Sequence, residues 1–264
     1  MRRAAIFVAL AASAAACGGE SKVVRVYDGH IVAGHYVSPE AYAWFLRGVL
    51  AEDGGELDAA ITAYVAASKE DDEDPAIWTR LGAARCRRDP KDALADEAFA
   101  KALAADSTAA GALAARARCM LDRGNAAAAL PDAQKAAHED PANVDVAALL
   151  VHAEVRAGST AQSGDRAVAL TLAYRERPAA WEALIAWARS KGRADLVARG
   201  FEGLLAAAPA RAGEVERGAL ELLGDGQVAL ARRVAAAITD APTDWLVRGP
   251  HDATVARANP SVHR

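Results

Sequence analysis

The 264-residue sequence predicts an all-α fold, and three observations carry that expectation. Hydrophobic residues make up 53% of the chain, yet aromatics supply only 5% and alanine about half of the hydrophobic total. Such a composition suits closely packed helix pairs, because alanine has the best intrinsic helix propensity. Large and small side chains also recur about 34 residues apart: Trp44 and Gly48 in "AWFLRG" return as Trp78 and Gly82 in "IWTRLG". Finally, Pro141, Pro178, Pro209 and Pro242 are separated by 37, 31 and 33 residues and stop helices at nearly the same interval.

Residues 1–16 differ from the rest of the chain. Arg2 and Arg3 precede an apolar run from Ala4 to Ala16. A helix of that length cannot cross about 30 Å of hydrocarbon, so the segment reads as a signal peptide. Two exits stand open beside an uncleaved chain. A general signal peptidase would cut after an Ala-x-Ala site, which this tail offers several times, and release a soluble secreted protein. The alternative is that Ala14, Ala15 and Ala16 before Cys17, with Gly18 and Gly19 after it, resemble the lipobox of bacterial lipoproteins. That resemblance implies acylation of Cys17 and membrane attachment through an N-terminal lipid. It also implies an address in the bacterial cell envelope, at the outer membrane facing the periplasm. Each buried methylene adds about 0.8 kcal/mol, so several chains together hold firmly.

Residues 17–38 are expected to form an anchor spacer and a β-hairpin. Val24 and Val26 alternate with Arg25 and Tyr27, and Asp28-Gly29 is a favoured two-residue turn. Pairing about it sets Val26 opposite Ile31 and Val24 opposite Ala33, giving one apolar face to cap the open end of the array. His30 and His35 lie here with Asp28. Residues flanking such a turn mostly face solvent, and no further His or Cys spacing supports a metal site. No metal and no cofactor is expected.

Residues 39–242 are expected to be helical repeats. Ser38-Pro39-Glu40 opens the first helix with a cap, a proline at the first helical position and an acid in the first turn. Tyr64 and Ala67 match Phe99 and Ala102 at 35 residues, and Ala136 continues the series. A unit running from Trp181 through Leu184, Ala188, Gly192, Val197, Phe201 and Leu204 to Pro209 shows the pattern most cleanly. Another keeps Gly124, Ala129, Ala136 and Pro141. The stretch around "GSTAQSGD" needs about three extra residues, and the last unit is degenerate. Together these residues resemble the tetratricopeptide (TPR) repeat. The resemblance implies a right-handed TPR-like α-solenoid of five to six helical hairpins, stacked because one hairpin cannot bury its apolar face alone. Gly48 and Gly82 then let paired helices approach, Tyr64, Phe99 and Phe201 fill the space between units, and Trp44, Trp78 and Trp181 belong to the core. Residues 243–264 read as a capping turn and a frayed tail.

A net charge of −4 without a concentrated basic face argues against a nucleic-acid partner. No phosphate-cradling glycine loop, nucleophile elbow or paired metal motif appears, so the chain reads as non-enzymatic. Residues 68–75, with five consecutive acids, lack the ligand spacing of a calcium loop and read as a solvated inter-repeat loop. The TPR resemblance implies a concave groove for a protein or peptide ligand, and maps Arg80, Arg87, Arg118, His152, Arg156 and Arg189 onto it. Arginines there either grip carboxylates bidentately or stay solvated beside Asp53, Asp122 or Glu154. Leu46, Arg80, Ala115, Leu149 and Ala183 stand where chaperone-binding clamps carry Asn, so that ligand is not implied. Cys86 and Cys119 fall late in the first helices of adjacent units. They either form a disulfide in an oxidising periplasm or are two small buried side chains. The function expected is an envelope-tethered scaffold or adaptor with the layout of pilotins and outer-membrane assembly factors. A soluble secreted or periplasmic adaptor is the alternative, and an envelope hydrolase or export component with an unrecognised site is the third.

Overall fold

The computed structural model describes residues 22–27, 30–35, 38–158 and 161–239. Cys17, the Asp28-Gly29 turn, Pro242 and the tail 243–264 lie outside the described residues. Two strands, β1 (Lys22–Tyr27) and β2 (His30–His35), pair antiparallel with Val24 against Ala33 and Val26 against Ile31.

Among the described residues, twelve α-helices then form six hairpins: α1 (Pro39–Asp53) with α2 (Leu57–Glu70), α3 (Pro75–Arg88) with α4 (Ala93–Ala105), α5 (Ala110–Asp122) with α6 (Ala126–Glu139), α7 (Val144–Arg156) with α8 (Ala161–Ala173), α9 (Pro178–Ser190) with α10 (Ala194–Ala207), and α11 (Ala212–Gly224) with α12 (Val228–Thr239). Caps set several of the starts. Ser38 Oγ accepts the Ala41 N–H at 2.9 Å, Asp74 accepts that of Ala76 at 2.7 Å, and Asp92 accepts that of Leu94 at 2.9 Å. Each side-chain oxygen satisfies a donor that has no partner within its helix.

The bends inside hairpins are built on glycine. Gly55, Gly124, Gly158, Gly192 and Gly226 all have positive φ, and the last four stand 34 residues apart. The second hairpin turns without one, through Asp89-Pro90-Lys91, where Asp89 Oδ1 accepts the Lys91 N–H at 2.9 Å.

Between the helices the core is layered. Tyr64, Phe99 and Phe201 are fully buried. Gly48 and Gly82 make room for two of them: a Cβ on Gly48 would lie 2.4 Å from Tyr64 Cε1, and one on Gly82 would lie 2.8 Å from Phe99 Cε1. Trp78 and Trp181 are buried and donate from the indole nitrogen to the carbonyl six residues back, Asp72 and Arg175, at 2.7 and 2.8 Å. Trp44 is only half-buried, because it belongs to the first hairpin of the series.

Two expectations need correction. Residues 68–75 are not a solvated loop throughout. Helix α2 continues to Glu70, and Asp71 is buried, its Oδ1 accepting the Glu73 and Asp74 N–H groups at 3.2 Å each. Short-range side-chain acceptance of this kind folds a tight turn, so several of the acids organise the backbone instead of only facing water. The prolines also do more than stop helices. Pro178 occupies the first turn of α9, and Pro209 opens a 3₁₀ turn, Pro209–Arg211, ahead of α11. Proline is tolerated at a helix start because the N–H it lacks would have no partner there.

Candidate binding groove

The first helices of the first three hairpins, α1, α3 and α5, enclose a cavity of about 370 Å³. Its walls carry Arg80, Arg87 and Arg118 with Glu52 and Asp122, and its lining includes Ala83, Gly111 and Ala115. Small side chains on consecutive first helices leave this space open. A Cβ added at Gly111 would meet nothing within 4 Å.

Glu52 is the electrostatic centre of the cavity. Its side chain is only 9% exposed, and it faces two guanidinium groups, Arg87 Nη1 at 2.7 Å and Arg80 Nη1 at 3.5 Å. Tyr64 donates its hydroxyl to Glu52 Oε2 at 2.7 Å. Burial, reinforced by that bond, holds the Tyr64 phenol above its ordinary titration range. One carboxylate thus serves two arginines and a phenol. The arginine side chains remain about half exposed, at 49% for Arg80 and 52% for Arg87. Arg118 is exposed and makes no ion pair among the described residues.

Beneath this charge, Cys86 and Cys119 are joined by a disulfide, with Cα atoms 5.9 Å apart. Both residues line the cavity and both are buried. They pack with Ala95 and Phe99, so the bond ties α3 to α5 inside a small apolar cluster.

The six residues mapped onto the groove fall into separate settings. Arg80, Arg87 and Arg118 share the cavity. His152 on α7 is half-buried, and burial lowers its pKa, opposed by Glu182 and assisted by the charges of Arg156 and Arg118. Arg156 donates to the Leu121 carbonyl at 2.9 Å. Arg189 lies apart, forked onto Glu221 of α11, with its Nε 2.9 Å from Oε1. It borders a second cavity of about 300 Å³ with Gly192, Val197 and Gln227. The anticipated acid partners differ as well. Arg80 and Arg87 take Glu52 in place of Asp53, and Glu154 bonds Arg166 at 2.5 Å. Sequence reasoning misses Glu52 because its partners stand 28 and 35 residues away, a separation only stacking closes. The signal that could find it is an acid about one repeat length ahead of an arginine.

No protein-family model and no curated protein matches the sequence. Solved structures do resemble the chain. PilW, described as a widely conserved type IV pilus biogenesis factor, superposes with a TM-score of 0.63 at 14% identity, over 83% of this chain and 99% of that one. Pseudomonas aeruginosa pilF gives 0.58 at 16% identity, over 83% and 97%. The Thermus thermophilus TPR protein TTC0263 gives 0.56 at 19%, over 75% and 99%. The fold is an all-α helical-hairpin solenoid like those of TPR proteins. Among the described residues no helix is long and apolar enough to cross a membrane.

Proposed function

We propose that this chain is a non-enzymatic interaction scaffold, tethered to the bacterial envelope by a lipid on Cys17 and holding a protein or peptide ligand along its concave groove. The observation that supports it is the open cavity where α1, α3 and α5 meet, lined by three exposed arginines over small side chains. A surface of that kind is shaped to receive a chain segment, and repeat arrays use such extended surfaces for binding. Similarity in fold to PilW, a pilus biogenesis factor, makes an assembly-factor or pilotin-like role the version we carry.

The test has two arms. Wild-type protein should fractionate with membranes and carry an acylated N-terminal mass, whereas Cys17→Ser should be released. Soluble wild-type protein with an unmodified Cys17 would replace the tether with the soluble-adaptor alternative. A photocrosslinker at Ala83, inside the groove, should capture a partner that one at the exposed Ala100 of α4 does not. Equal capture from both positions would count against the groove.

A further inference from the structure

We infer that Arg87 and Arg118 form a carboxylate-binding pair set in place by the Cys86–Cys119 disulfide, and that the groove takes an acidic segment of its partner. The inference rests on the proposed ligand-binding groove and names the chemistry of its ligand. Arg87 directly follows one bridged cysteine and Arg118 directly precedes the other. With those cysteines' Cα atoms 5.9 Å apart, the covalent tie holds two like charges at one junction, and both line the same cavity.

Nothing among the described residues neutralises that pair fully. Glu52 bonds Arg87 through a single nitrogen, Nη1, and is shared with Arg80. Arg118 has no ion-pair partner among the described residues. Asp122 sits one helical turn further along α5 without closing onto it. The cavity therefore holds three guanidinium groups against two carboxylates. Guanidinium forks bind carboxylates through paired charge-assisted hydrogen bonds, so an incoming Asp or Glu side chain supplies what the cavity lacks. The Ala83, Gly111 and Ala115 lining gives the ligand backbone room to approach, and small apolar side chains a surface to rest on. The 9% exposed Glu52 already places a carboxylate on Arg87 and Arg80 from within, so Arg87 accepts a carboxylate on this wall of the cavity.

The test uses the full oxidised protein and a fluorescein-labelled dodecapeptide alternating Glu and Leu, with a second peptide carrying Gln in place of Glu. Fluorescence anisotropy should show the Glu peptide binding about tenfold tighter or more than the Gln peptide. Arg118→Gln should weaken the Glu peptide far more than the Gln peptide and so erase that advantage. Circular dichroism should show the variant fully folded, since Arg118 is exposed. Dithiothreitol reduces the bond to two thiols while being oxidised to its own cyclic disulfide, and should shrink the advantage. Equal affinity for both peptides would overturn the acidic-ligand inference and leave the groove itself standing. Binding of neither would overturn both. An advantage that survives Arg118→Gln would exclude this arginine pair, and one that survives reduction would exclude the disulfide as its positioning element.

Discussion

Opening the Cys86–Cys119 bond should destabilise the array by an amount its chain separation sets. The cysteines stand 33 residues apart, and a loop of that length corresponds to about 3.7 kcal/mol at 25 °C in the chain-entropy treatment. Reduction is the cleaner perturbation than substitution. Cys86 and Cys119 are 3% and 2% exposed, and as thiols they still fill the cluster with Ala95 and Phe99 once the two sulfurs move apart to van der Waals separation, so the tie is the main thing lost. For a folding unit of about 200 residues, each kcal/mol moves Tm by about 2–4 °C, which places the reduced protein about 7–15 °C lower. Because repeats interact mainly with their neighbours, the loss should be greatest between the second and third hairpins. Calorimetry with and without reductant, paired with a thiol count, measures the shift. Amide exchange should accelerate most in α3, α4 and α5. An unchanged Tm once two thiols have appeared would refute the reasoning, as would two free thiols in the native protein.

Gly48→Ala should destabilise by about 1–3 kcal/mol by overpacking, despite the roughly 1 kcal/mol alanine contributes in helix propensity. The new Cβ would meet the Tyr64 ring, whose hydroxyl is fixed to Glu52 and cannot swing away. Gly111→Ala, on the open lining of the groove, should instead be neutral or stabilising, and urea denaturation of the two variants gives opposite signs if packing decides. His152 supplies a pH dependence. Its folded pKa lies below the ordinary histidine value of 6.5, so between the two the unfolded chain binds more protons. Stability is therefore full above about 6.5 and falls as pH drops from there toward the folded value. The Tm difference between pH 7.5 and 5.5 should shrink in His152→Gln, and an unchanged difference would remove His152 as its source.

The helical period was legible wherever side-chain size carried it. Gly48 with Tyr64 in the first hairpin, and Gly82 with Phe99 in the second, each describe one packing event between helices, and that event recurs 34 or 35 residues on, as Trp44 and Trp78 also do at 34. The run of left-handed glycines at 124, 158, 192 and 226 is more regular still, because only a bend that requires positive φ demands glycine at one place. Charge was harder to read. Arg88 reaches Asp58, Arg211 reaches Glu182 and Arg233 reaches Glu202, acids about one repeat ahead at 30, 29 and 31 residues. But Arg189 takes Glu221 from 32 residues after it and Arg166 takes Glu154 from 12 before, so the repeat offset narrows the choice of acid without fixing it. Asp71 looks solvated in sequence because it stands in a run of acids, whereas its burial depends on how α2 meets α3.

The groove meets the same limit. The mapped basic residues look equivalent along the chain, but stacking sorts them. Glu221 engages Arg189 with both oxygens, and the Leu121 carbonyl takes Arg156, so these two mapped arginines are answered from within. At the α3–α5 junction the fold supplies one buried carboxylate for Arg80 and Arg87 and no ion-pair partner for Arg118 among the described residues. Ligand chemistry in such an array is thus decided less by where arginines occur than by which of them the neighbouring repeat leaves unanswered.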